Sequence, residues 1–174
     1  MAGQAFQTLG GAGPPTAETM RQLRRLDASA VTVVTYLAGQ DFRGITVSAF
    51  GVVSLAPARV LVCLASQGDA LAAVRSSGRF AVNVLSDSQE FLAEQFAGRA
   101  PLVSARFERV KHRISGAGNP LLEECLVWFD CRVEAIHGGG DHAIVVGDVR
   151  EAGTGVGAMP LLYFDGSYRE LEAE

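Results

Sequence analysis

Three observations on this 174-residue sequence predict a mainly β fold that closes as a barrel. β-Branched and aromatic residues gather in roughly seven or eight short segments, most of them separated only by Gly, Asp, Asn or Ser turns. Only three short stretches carry a helical period. Strands and long helices do not alternate along the chain, so a doubly wound α/β sheet is disfavoured and an antiparallel barrel with helical caps accommodates the pattern.

Composition bounds the class. Hydrophobic residues make up 48% and charged residues 20%, the balance of a soluble globular domain rather than a disordered chain. The length predicts one domain, over 16–174, with enough chain to bury a core. Residues 1–15 are rich in Gly, Ala and Gln and end at Pro14-Pro15, which predicts a flexible tail. A net charge of −4 and the lack of a basic block argue against nucleic acid as the main partner. Cys63, Cys125 and Cys131 show no Cys-x-x-Cys spacing and read as reduced thiols. With no apolar run near the length of a membrane span and no signal-like start, a cytoplasmic location and no membrane contact are expected.

In chain order, Thr16–Asp27 sets Met20, Leu23 and Leu26 on one stripe, a short amphipathic helix. Val31–Leu37 is apolar on both faces, as in a barrel wall with helices outside or at a subunit interface. Ala38–Asp41 is a hairpin turn into Arg43–Phe50, and Pro57 precedes the apolar strand Val60–Leu64. Ser66–Asp69 turns into a helix over Ala70–Ser77, with Asp69 as its cap. Arg79–Leu85 alternates as a strand, and Ser86 or Ser88 caps a helix carrying Phe91, Leu92 and Phe96. Residues 97–106 read as loop, Phe107–Ile114 as a strand and Gly116–Pro120 as a turn. From Leu126 to Ile136, Val127, Phe129, Cys131, Val133 and Ala135 face one way and Asp130, Arg132 and Glu134 the other. His142–Val149 returns as the hairpin partner, and Pro160–Phe164 with the Asp165-Gly166 turn closes the chain.

Three constellations carry chemistry. Thr46 and Ser48, two residues apart in a β-favouring segment, put hydroxyls on one face of a strand, where a planar ligand with carbonyl and N–H groups along one edge could pair in register. Gly44 would let such a ligand approach the backbone. The bland alternative is an edge strand facing solvent. Ala65–Ala70 hands a strand to a helix start, whose free N–H groups attract anions and to which Ser66 adds a hydroxyl; Arg43, Arg75 and Arg79 are equal candidates for neutralising a phosphate. Gly140-Asp141-His142 sits on a glycine-rich turn between two strands. His112 and His137 stand apart from it, and no His, Cys or carboxylate spacing suggests a metal site. A dinucleotide Gly-x-Gly-x-x-Gly after a strand, a Gly-x-Ser-x-Gly elbow and a P-loop are all missing.

The order Gly44, Thr46-x-Ser48, Phe50, then Val53-Ser54-Leu55, Pro57 and a buried strand resembles the short-chain flavin reductase family, the reductase components of two-component flavin monooxygenases. Gly140-Asp141-His142 and Pro160–Phe164 with Tyr168 extend the resemblance to roughly residues 20–170. Ala49 departs from the Ser often found there. The resemblance implies a Greek-key, FMN-binding split β-barrel that works as a homodimer. It implies flavin contacts from Arg43, Gly44, Thr46, Val47, Ser48, Ala49, Ser54, Ala65, Ser66, Asp141, His142 and Tyr168, with His142 also the catalytic candidate. FMN or FAD and NADH or NADPH would be the cofactors, and an oxygenase served by diffusing reduced flavin the partner. The rival readings are a split-barrel flavoprotein oxidase with tightly held FMN and a non-catalytic flavin-binding module.

Overall fold

The computed structural model describes residues 13–100, 107 and 109–171. Helix α1 (Ala17–Arg25) leads into strands β1 (Ser29–Ala30), β2 (Thr32–Ala38), β3 (Asp41–Val47), β4 (Phe50–Leu55) and β5 (Ala58–Ala65). Helix α2 (Asp69–Ser77) precedes β6 (Arg79–Val84), and a short 3-10 turn over Asp87–Gln89 opens into α3 (Glu90–Phe96). Then come β7 (His112–Ile114), β8 (Pro120–Leu122), the long hairpin β9 (Val127–Gly138) and β10 (His142–Thr154), and finally β11 (Leu162–Phe164) and β12 (Ser167–Arg169). Of the tail expected over 1–15 and the loop over 97–106, residues 1–12 and 101–106 lie outside the described residues.

Seven strands form one sheet in the order β3-β2-β6-β9-β10-β5-β4, every pair antiparallel. Three hairpins, β2–β3, β4–β5 and β9–β10, are thus interleaved, with β6 bridging two of them. β3 and β4 lie at opposite edges of the sheet although only Ser48 and Ala49 separate them. A two-residue link cannot span a flat seven-stranded sheet, so the sheet curls until its edges meet there, the seam of a split barrel.

β2 explains why Val31–Leu37 is apolar on both sides. Val34 and Tyr36 join Val62, Leu64, Phe80 and the α2 residues Leu71 and Val74 in one core. Val31 and Val33 join Leu85, Phe96, Phe107 and Leu161 in another. Both faces are therefore covered within the chain. A buried polar group fastens three elements across this region: Asn83 of β6 donates to the Val33 carbonyl (3.1 Å) and Thr35 Oγ1 (3.2 Å) and accepts from the Leu122 N–H (2.8 Å).

Several local expectations need correction. Residues Phe107–Ile114 do not form one strand; only His112–Ile114 pairs, because the Phe107 ring packs on Phe96 (5.3 Å) and His112 (4.9 Å) instead of continuing a ladder. Pro120, read as part of a turn, opens strand β8. Asp69 is the first residue of α2 rather than its cap; Gly68 holds that position without a side-chain bond. Of the two serines considered for α3, Ser86 starts the segment, and its N–H is taken by Gln89 Oε1 at 3.1 Å. Asp130 is 1% exposed, its carboxylate bound by Asn119 Nδ2 at 2.6 Å, so the face of β9 opposite Cys131 is not a solvent face at that point. Thr16 caps α1, accepting from the Thr19 N–H, yet α1 buries no residue and Met20, Leu23 and Leu26 stay exposed.

Candidate functional site

The seam between β3 and β4 opens into a cleft of about 720 Å³. Its size falls within the range of small-molecule sites. Thr46–Ala49 and Cys63–Ala65 form one part of its lining, with Ile45, Val47 and Leu64 making it largely apolar. Gly139 and His142, from the β9–β10 turn, adjoin this part because His142 pairs with Ala65. Met20 and Arg24 of α1, Arg99, Tyr163 and Tyr168 complete the wall.

At the seam itself the ladders stop. β3 pairing ends at Val47 opposite Thr32, and β4 pairing begins at Phe50 opposite Val62. Ala49 accepts the Cys63 N–H (3.1 Å) through its carbonyl, but the N–H groups of Ser48 and Ala49 find no acceptor among the described residues. Two free main-chain donors beside an apolar wall suit a planar ring with carbonyl oxygens on one edge. The residues present therefore fit a flavin. The absence of a hydroxyl at Ala49 removes neither of these two main-chain donors.

The expected Thr46/Ser48 pair is not built as the sequence suggested. The strand ends at Val47, so Ser48 does not share a strand face with Thr46, and Thr46 Oγ1 donates to the Ala93 carbonyl of α3 at 2.7 Å. Gly44 is needed by the core. A Cβ there would lie 2.7 Å from the Phe96 ring, so the glycine makes room for α3 to pack. Arg43 pairs with Asp41 (3.0 Å) and lies outside the cleft lining, as do Gly44 and Ser54, the latter opposite Arg59 on β4.

The strand-to-helix turn after β5, expected as a phosphate cradle, is tied to the β9–β10 turn. Ser66 donates its Oγ to the Gly140 carbonyl (3.3 Å) and its N–H to the Asp141 carbonyl (2.9 Å), fastening the two turns together. The cleft lining stops at Ala65. Neither Arg75 nor Arg79 reaches it; Arg79 donates to the Ala117 carbonyl elsewhere.

His142 is the first residue of β10 and is about half exposed. Its Nδ1 lies 2.9 Å from Asp141 Oδ1. The hydrogen bond from His142, and its charge when protonated, hold the Asp141 carboxyl below the usual range. An ionised carboxylate can only accept, so Nδ1 carries the hydrogen and Nε2 is left as the ring's free nitrogen. Asp141 is exposed and outside the lining, acting on the site through this one bond.

Of the far wall, Tyr168 was among the expected contacts, whereas Arg99 and the Glu94 behind it were not. Tyr168 Oη donates to Glu94 Oε1 (2.6 Å) and accepts from Arg99 Nη2 (3.0 Å), while Arg99 pairs with Glu94 at 2.8 Å. The Tyr168 bond lowers the Glu94 carboxyl below its ordinary range. Burial, with Glu94 beside it, pushes the Tyr168 phenol up to about 12. The ring meets Tyr163 edge to face at 5.4 Å, its register partner across β11–β12. Tyr163 was readable as that partner; Arg99 and Glu94, some seventy residues away, carried no local signal. No group of three His, Cys, Asp or Glu able to hold a metal occurs among the described residues.

Residues 23–172 match the flavin reductase like domain. The chain belongs to that family. Among curated relatives, the reductase component of 4-hydroxyphenylacetate 3-monooxygenase from Thermus thermophilus is 38% identical over 144 residues, 83% of this chain and 89% of the relative. The NADH-dependent FMN reductase AsuE2 of Streptomyces nodosus subsp. asukaensis is 35% identical over 160 residues, covering 91% and 86%. In structure, the NADH:FAD oxidoreductase SgcE6 of Streptomyces globisporus C-1027 aligns with a TM-score of 0.85 and 28% identity over 96% of this chain and all of that one. The flavin reductase-like fold thus accounts for the split barrel, and its members supply the functional context for the cleft.

Proposed function

We infer that this flavin reductase-like chain is an NADH:flavin oxidoreductase, supplying reduced flavin to a partner monooxygenase. The observation that carries the reading is the seam: free N–H groups of Ser48 and Ala49 on an apolar cleft that His142 also lines. The relatives' activities, one an NADH-dependent FMN reductase and one an NADH:FAD oxidoreductase, point the same way.

A bound flavin supplies the two-electron acceptor for the hydride of a dihydronicotinamide. The chain's own residues orient and shield. Ser48 and Ala49 N–H groups hold the carbonyl edge of the ring, where negative charge develops on reduction. Ile45, Val47 and Leu64 exclude water from that face. His142 presents Nε2 to the nicotinamide carboxamide or the flavin edge, with Asp141 fixing its tautomer and rotation. No proton transfer is asked of it, because hydride transfer needs none. FMN is the proposed flavin, held loosely enough to exchange.

The working unit is proposed to be a homodimer with the cleft near the boundary. Edge strand β4 exposes Val52, Val53 and Leu55, the last at 87%, and α1 exposes its whole apolar stripe. Such surfaces are the raw material of an apolar interface. No described helix is long and apolar enough to cross a membrane. Free Cys63, Cys125 and Cys131, the last two with thiols pushed up by burial, fit a reducing cytoplasm.

The test is NADH oxidation by purified protein with FMN, FAD or riboflavin added. The rate should rise with added flavin and exceed that with NADPH. Protein that keeps stoichiometric flavin through extensive dialysis and gains nothing from added flavin would favour the oxidase reading instead.

A further inference from the structure

One arginine in the cleft has no partner among the described residues. Arg24 stands four residues after Met20 on α1, so the two side chains share the helix face that lines the cleft. Its guanidinium makes no hydrogen bond or ion pair to any described residue. The other cleft arginine, Arg99, is committed to Glu94 and Tyr168, and its charge is balanced there. Neighbouring Arg25 is committed too: its side chain binds Asp165 (3.2 Å), and its carbonyl takes the Asp165 N–H (2.8 Å). That double tie fixes the end of a helix that buries nothing, and with it the place of Arg24.

A largely apolar cleft with one uncompensated, always-charged fork on its wall suits a ligand with a flat body and an anionic tail. We propose that Arg24 reads a phosphate on the cleft's ligands, so that phosphate-bearing forms are preferred over their dephosphorylated counterparts. This rests on the flavin reductase reading of the same cleft. The shared chemistry is a phosphate monoester or pyrophosphate, and both the flavin nucleotide and the dihydronicotinamide dinucleotide carry one. The chain's net charge of −4 gives no general attraction for either, so discrimination must come from a local cation such as this one.

The experiment compares the full-length wild type with Arg24→Gln and Arg24→Lys. Arg24 is exposed on α1 and Gln is a good helix former, so the fold should survive the change. Binding of FMN and of riboflavin is read by flavin fluorescence, and kcat/KM is measured for NADH and for N-benzyl-1,4-dihydronicotinamide, which has no phosphate. In Arg24→Gln the FMN-to-riboflavin binding ratio should fall by about tenfold, the scale of one partly exposed charge-assisted contact, while Arg24→Lys keeps most of it. A fall confined to the NADH-to-benzyl ratio supports the same role for Arg24 with the pyridine nucleotide as the phosphate's source. Both ratios unchanged overturns the proposal. A wild type that binds flavins but oxidises no NADH sinks the reductase reading alone, since the binding ratio still decides Arg24.

Discussion

Two residues show how the same sequence signal can lead to different physics. His142 was singled out by the family resemblance of Gly140-Asp141-His142, and the structure adds what the motif could not: Asp141 occupies Nδ1, so a single ring nitrogen is free. His142→Ala is expected to slow reduction of flavin by NADH about ten- to a hundredfold, a loss of roughly 1.4–2.7 kcal/mol of transition-state stabilisation, with little change in flavin affinity. Stopped-flow reduction at the wild-type rate, with unchanged nucleotide dependence, would reduce His142 to a turn residue. Gly44 was singled out for backbone access to a ligand, but its missing Cβ is space claimed by the Phe96 ring. Gly44→Ala should therefore destabilise the fold by about 1–3 kcal/mol through overpacking, and a second change, Phe96→Leu, should recover part of it. Thermal melts of the two single variants and the double variant measure this coupling; strictly additive losses would rule it out. A glycine in a strand pattern signals close approach, and only the tertiary structure says of what.

Among the elements, those specified by local pattern were legible and those specified by distant partners were not. β2, β5, β6 and the β9–β10 hairpin follow from apolar, β-branched runs bounded by turn residues, because that signal is written into each strand separately. β8 and the short extent of β7 do not, since three-residue strands depend on what receives their backbone, here Asn83 from β6. The link between the C-terminal β11–β12 hairpin and α3 is of the same kind. It hangs on Tyr168 with Glu94 and Arg99, and it titrates. The phenol is held up at about 12 in the folded chain against an ordinary 10.0, so the folded state binds this proton more tightly than the unfolded one. Its contribution is whole below pH 10 and is lost as pH rises through about 12. Wild type should thus show a steeper loss of thermal stability between these values than Tyr168→Phe, which has no proton to lose. Parallel curves for the two proteins across that window would show that the phenol adds no pH dependence.

For the whole molecule, the barrel was legible because strand count, turn spacing and the lack of alternating helices all pointed to it, whereas the seam was not, because it depends on which strands become edges. Only the order β3-β2-β6-β9-β10-β5-β4 reveals that Ser48 and Ala49 join the two edges of one sheet and are left with unused amides. The sheet edges bear directly on assembly. Val31–Leu37, apolar on both faces, suggested a barrel wall or an interface, and the structure covers it within the chain. The surface left over lies instead on β4 and α1. β4 is an edge strand with a free ladder side, 6 residues long, and exposes Val52, Val53 and Leu55 without a charged or proline residue of its own to discourage pairing. An isolated protomer with such an edge would be prone to aggregate, and the homodimer proposed above would cover it with a second copy. Sedimentation at micromolar concentration should find a dimer, and Val53→Asp with Leu55→Asp should shift it to monomer. Because the cleft lies beside the same edge, flavin binding should weaken along with dimerisation. A wild-type monomer that binds flavin as tightly as any oligomer would show that β4 is not the interface and that the cleft is complete in one chain.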